Sequence, residues 1–116
     1  MLRYLFRFST VKSFGVVGSG QMGTGIAIVA NRVAKLPVVI YDSNPASLKK
    51  SEKFVNDWLG KEKTKNRIND SEIEEFKNRI SFSEDINTFK DKSVDFVVEA
   101  IVENIDVKQG VLKKLD

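Results

Sequence analysis

Residues 14–25, FGVVGSGQMGTG, decide how the rest of the chain reads. The short apolar run Phe14, Gly15, Val16, Val17 leads straight into Gly18-x-Gly20-x-x-Gly23, and an apolar, helix-spaced segment follows at once. That is a buried strand, a tight turn and a helix N-terminus, the arrangement that cradles a dinucleotide pyrophosphate. Gly18 permits the turn out of the strand, Gly20 lets a phosphate approach the backbone, and Gly23 lets the helix lie close to the strand. The unpaired N–H groups and positive dipole end of the helix complete the anion site.

A second apolar run, Val38-Val39-Ile40-Tyr41, ends in Asp42, nineteen positions after Gly23. A carboxylate about 20 residues beyond the glycines accepts hydrogen bonds from the adenosine ribose in this fingerprint. Taken alone, Asp42 followed by Ser43, Asn44 and Pro45 reads as the start of a turn. Joined to the glycines in one β-α-β unit, it reads as the ribose ligand.

Composition narrows the choice. The 116 residues suit one domain, and 41% hydrophobic against 30% charged residues implies a globular core. No apolar run reaches the length of a membrane span. The absence of cysteine and histidine removes disulfides, thiolate chemistry and the commonest general base and metal ligand. No carboxylate cluster suggests a metal. The net charge of +3 does not indicate a nucleic-acid partner, because residues 1–13 carry Arg3, Arg7 and Lys12 without an acid. The remaining 16 basic residues then balance the 16 acids. That leader is Arg-bearing, acid-free and amphipathic, as a mitochondrial transit peptide is. The expected organisation is a leader over 1–13, directing the protein to the mitochondrial matrix, and a nucleotide-binding domain over 14–116.

Further along, Met22, Ile26, Val29, Ala30 and Val33 share one helix face, expected to lie on the sheet. Asn44 reads as an N-cap with Pro45 at the first helical position, and Leu48, Val55 and Leu59 form that helix's apolar stripe, flanked by Phe54 and Trp58. The lysines from Lys49 to Lys65 form a solvated face or, alternatively, a landing surface for a polyanion. Ser71 and Glu74 suggest a capping box. Residues 80–83 read as a half-exposed strand. Val94, Phe96, Val97 and Val98 read as a strand buried on both faces, and residues 104–116 as a final helix. The expected architecture is α/β: a Rossmann-type doubly wound parallel sheet, partial, in strand order 3-2-1-4.

At this level of detail the chain resembles the 3-hydroxyacyl-CoA dehydrogenases. Residues 17–27, VGSGQMGTGIA, are similar to that family's G-x-G-x-M-G-x-G-I-A signature, and residues 95–108, DFVVEAIVENIDVK, to its D-x-V-x-E-A-x-x-E-N-x-x-x-K stretch. The resemblance implies NAD as cofactor, its pyrophosphate at Gly18, Ser19, Gly20, Gln21, Met22 and Gly23 and its adenosine ribose at Asp42. It places Glu103 and Lys108 near the nicotinamide end and Lys65 at the coenzyme A part of an acyl-CoA substrate. It also implies oxidation of L-3-hydroxyacyl-CoA to 3-oxoacyl-CoA in fatty-acid β-oxidation, and a homodimer formed through a helical C-terminal domain.

The chain departs from the family in three places. Lys35-Leu36-Pro37 stands where members often carry a glycine. Trp58 replaces a small polar residue near coenzyme A. The Ser-Asn-Thr-Ser and His-Phe-Phe-Asn-Pro segments, the latter with the catalytic histidine, have no counterpart up to Asp116. Proton removal from an alcohol needs a base; Tyr4 and Tyr41 belong to no Tyr-x-x-x-Lys pair, so no catalytic residue is assigned. Two other readings fit the same motif: a related NAD-dependent dehydrogenase of another hydroxy substrate, and a non-catalytic NAD-binding module.

Overall fold

Four parallel strands, β1 (Phe14–Val17), β2 (Val38–Tyr41), β3 (Ile80–Ser83) and β4 (Phe96–Glu99), pair in the order β3-β2-β1-β4 in the computed structural model, which describes residues 11–100. Phe14 is in register with Val38 on one side and Phe96 on the other, and Val38 with Ile80. Each strand is only four residues long, so the carboxyl ends of all four stop at one edge. Ligands of open α/β sheets bind at that edge.

Three helices join the strands: α1 (Gln21–Arg32), α2 (Pro45–Thr64) and α3 (Asp70–Asn78). A short fourth, α4 (Thr88–Asp91), lies between β3 and β4 and was not anticipated in the sequence, since four residues show no periodicity. Phe14, Val16, Val38 and Ile40 form the core with Ala27 and Ala30 of α1 and Leu48 of α2. A second cluster, Ile28, Val55, Leu59, Ile68 and Phe76, binds α1, α2 and α3 together. Trp58 leans on Phe76 at 5.7 Å between ring centroids. Full burial of a Phe such as Phe76 contributes roughly 2–3 kcal/mol. On the opposite face of the sheet Gly15 admits Phe89 and Val94, which a Cβ would meet at 3.2 Å and 2.9 Å.

The face of α1 differs from the sequence expectation. Gly23, Thr24, Ala27, Ala30 and Asn31 are buried, whereas Met22, Val29 and Val33 are 56%, 43% and 69% exposed. Small side chains win the sheet-facing side because the helix starts within contact distance of β1, and the larger residues rotate outward. Asn31 is fully buried, a placement that costs several kcal/mol without partners. It has two: its Nδ2 donates to the Phe76 carbonyl at 2.9 Å, and its Oδ1 accepts from Arg79 Nε at 3.0 Å.

Three further expectations are modified. The capping box of α3 is Asn69 with Glu72, two residues earlier than Ser71 and Glu74. Asn69 Oδ1 accepts from Glu72 N–H at 2.8 Å, and Glu72 Oε1 accepts from Asn69 N–H at 3.1 Å. Asn caps as well as Ser, and Glu72 is also drawn there by Arg32 at 3.2 Å. Strand β4 is only partly covered: Val97 is 48% exposed, with Phe96 and Val98 half-buried. Residues 11–13, read as leader, join the domain: Val11 packs against the core, and the N–H groups of Lys12 and Ser13 donate to the Asp95 carboxylate.

Lys35, just past α1, has φ 55°, the left-handed region. That conformation costs an L-residue about 1–2 kcal/mol and a glycine almost nothing. Lys35→Gly should therefore raise stability by about 0.5–1 kcal/mol after the entropy that glycine adds to the unfolded chain. Thermal unfolding of both proteins checks this; an equal or lower melting temperature would contradict it.

Candidate functional site

The turn leaving β1 is built on Gly18, whose φ is 107°. Its N–H donates to the Tyr41 carbonyl at 2.8 Å, so the turn is tied to the end of β2. Helix α1 begins directly afterwards, with Gly20 as its N-cap. Glycine has no side chain to cap with, and the first turn holds no acid, so the positive end of the helix is left for an external anion. Gly23 is in the tightest place: a Cβ there would collide with the Gly18 carbonyl oxygen.

Asp42 is brought into this turn. Its Oδ2 accepts from Ser19 N–H at 3.0 Å and from the Ser19 hydroxyl at 2.7 Å, and its Oδ1 accepts from Asn44 N–H at 3.0 Å. Asp42 thus starts the turn into α2 and also sits against the glycine loop. Burial acts to raise its pKa, but the bonds from Asn44 and Ser19 outweigh it and hold the carboxyl below the ordinary value. The group is thus a carboxylate at neutral pH, with a charge available to accept bonds.

Behind the turn lies a chain of hydroxyls. Thr24 Oγ1 donates to the Ser19 carbonyl at 3.1 Å and shares a 2.7 Å hydrogen bond with Ser51 Oγ of α2. Thr24 and Ser51 are each 2% exposed. Neither was singled out in the sequence, although a signal existed: Ser51 interrupts the apolar stripe of Leu48, Val55 and Leu59. A groove of about 310 Å³ opens between the turn and α2, with Thr24 and Ser51 buried within it and Lys50 and Phe54 on its exposed side.

Of the other residues implied by the resemblance, Gln21 and Met22 lie exposed in the first turn of α1, beside Gly20. Lys65 is the C-cap of α2 and exposed. At 1.5 Å per residue it stands roughly 30 Å along the helix from Pro45, away from the turn. Trp58, on the same helix, is half-buried against Phe76 and serves the core. The lysine-rich end of α2 is partly neutralised by ion pairs, Lys63 with Asp70 at 2.7 Å and Arg67 with Glu62 at 3.6 Å, in keeping with a solvated face. Glu103 and Lys108 lie outside the described residues. Among the described residues no group of side chains is placed to hold a metal ion, and no helix is long and apolar enough to cross a membrane.

One protein family and several known proteins resemble this chain. The family described as 3-hydroxyacyl-CoA dehydrogenase, NAD binding domain, matches residues 13–116. A probable 3-hydroxybutyryl-CoA dehydrogenase of Deinococcus radiodurans is 40% identical over 102 residues, 88% of this chain and 35% of that protein. A probable 3-hydroxyacyl-CoA dehydrogenase of Caenorhabditis elegans is 31% identical over 115 residues, 95% of this chain and 37% of that protein. The crystal structure of (S)-3-hydroxybutyryl-CoA dehydrogenase from Ralstonia eutropha superposes with a TM-score of 0.72 at 32% identity, over 90% of this chain and 36% of that one. The chain thus spans about a third of the length of these relatives.

Proposed function

Because this chain belongs to the NAD-binding domain family of the 3-hydroxyacyl-CoA dehydrogenases, we propose that it holds NAD for the oxidation of an L-3-hydroxyacyl-CoA to the 3-oxoacyl-CoA, a step of fatty-acid β-oxidation. The observation that carries this reading is the junction of Asp42 with the glycine turn through Ser19, at 2.7 Å and 3.0 Å.

The residues fit the cofactor. Gly20 and the first turn of α1 leave backbone N–H groups for the pyrophosphate, beside the side-chain-free backbone of Gly18 and Gly20, and Asp42 offers a carboxylate to the adenosine ribose. The same negative charge repels a 2′-phosphate, and Ser43-Asn44-Pro45 supplies no arginine to offset it, so NAD is preferred over NADP. Bound NAD supplies the hydride acceptor. The protein's part is to orient the cofactor at the carboxyl edge of the sheet and to keep its pyrophosphate neutralised by dipoles. The hydroxyl proton of the substrate needs a separate base, and no residue of this chain is assigned to that role. Glu103 and Lys108 are proposed for the nicotinamide end and Lys65 for coenzyme A, on the strength of the family motif.

The test is NADH formation by the intact protein from L-3-hydroxyacyl-CoA substrates. NADH should form with NAD and far more slowly with NADP, and Lys65→Ala should raise KM for the acyl-CoA while leaving KM for NAD in place. Tight NAD binding with no turnover of any acyl-CoA would instead favour a non-catalytic binding module.

A further inference from the structure

The Asp42 carboxylate has about four acceptor sites. Three are already taken within the protein: two on Oδ2 by the Ser19 N–H and hydroxyl, and one on Oδ1 by the Asn44 N–H. One site, on Oδ1, is left for a ligand, yet a ribose presents two neighbouring hydroxyls. A ribose that gives both its hydroxyl protons to Asp42 has to displace a bond already made.

The two backbone bonds are fixed by the turn and by the start of α2, and they orient both carboxylate oxygens without help. The Ser19 hydroxyl is the one donor that can rotate away. It is dispensable for orientation and it fills the last site on Oδ2. Ser19 is only 4% exposed, so a displaced hydroxyl does not simply exchange Asp42 for bulk water.

We propose that the Ser19 hydroxyl competes with the adenosine ribose for Asp42 Oδ2, and that Ser19 thereby sets how tightly the dinucleotide is held. The proposal rests on Asp42 being the ribose acceptor, as argued above. Ser19 is in this sense a specificity-determining residue: its hydroxyl weakens ligands that carry free ribose hydroxyls and leaves others unaffected. The Ser19 side chain makes no bond other than that to Asp42 among the described residues, and the Thr24 and Asp42 bonds to its backbone survive truncation.

Calorimetric titration of the intact protein tests this with NAD and with an NAD analogue lacking both adenosine ribose hydroxyls. Ser19→Ala should tighten NAD about three- to tenfold and leave the deoxygenated analogue unchanged, while Asp42→Ala weakens NAD. Equal or weaker NAD binding by Ser19→Ala, with Asp42→Ala still impaired, would overturn the competition and leave the ribose contact standing. Equal tightening of both ligands would overturn it too, by showing a change in the turn itself. If neither variant altered NAD binding, Asp42 would not be the ribose acceptor and both readings would fall.

Discussion

Gly23→Ala is expected to be the most damaging single-methyl change in the domain. The added Cβ would meet the Gly18 carbonyl oxygen, with the Gly18 carbonyl carbon at 3.0 Å and Val16 Cγ1 at 3.2 Å. The obstacle is backbone, which cannot rotate aside, so either α1 moves away from β1 or the turn opens. Overpacking of this kind costs about 2–4 kcal/mol. It should also abolish measurable NAD binding, because the N–H groups proposed to receive the pyrophosphate sit on the displaced segment. Gly25→Ala is the control: a Cβ there meets nothing within 4 Å, and alanine favours the helix by about 1 kcal/mol. Denaturant unfolding and NAD titration of the two variants check the pair. A Gly23→Ala protein with unaltered stability and affinity would show that α1 and β1 are not held as close as described.

Asp42→Ala should weaken NAD binding by roughly ten- to a hundredfold, the worth of one or two hydrogen bonds to a charged group. It should narrow the preference over NADP as well, since the repulsive charge is gone. From sequence alone a solvent-facing strand end would make this substitution almost free for the fold. The bonds from Ser19 and Asn44 say otherwise: Ser19 N–H is buried and would lose its acceptor, a loss of about 1–3 kcal/mol. Asp42→Asn removes the charge but keeps a single acceptor oxygen, which can serve only one of the two backbone donors, Ser19 N–H or Asn44 N–H, so part of the stability loss should remain. Calorimetric titration of both cofactors, beside thermal melts, reads affinity and stability independently. Undiminished NAD affinity in Asp42→Ala would reduce Asp42 to a turn residue.

The sheet and its order were legible because β1, β2 and β4 are short, mostly apolar runs and β3 alternates with period two, and because a parallel unit leaves one handedness of crossover. The glycine turn and its closeness to Asp42 were legible for the same reason: backbone geometry constrains residue type there. What was not legible depends on how close the elements come. Of the expected face Ala30 is buried and Ile26 packs against the core, but Met22, Val29 and Val33 turn outward, and proximity to β1 favours Gly23 and Ala27 beside Ala30. Periodicity reports that a face exists, and only packing decides which of two candidate faces turns inward. Polar residues in apolar positions, Asn31 and Ser51, were the other loss. Each is buried because a specific partner stands opposite, and that partner lies 45 residues away for Asn31 and 27 away for Ser51. The Ser19 hydroxyl on Asp42 is of the same kind, a contact across 23 residues that spacing alone does not reveal.

The most direct measurement is a crystal structure of the intact protein with NAD. The pyrophosphate should lie against the backbone N–H groups between Gly18 and Gly23, with the adenosine ribose hydroxyls within hydrogen-bond distance of the Asp42 carboxylate. A dinucleotide bound elsewhere, or bound here with its ribose turned away from Asp42, would contradict the assignment of this turn and this acid as the cofactor site.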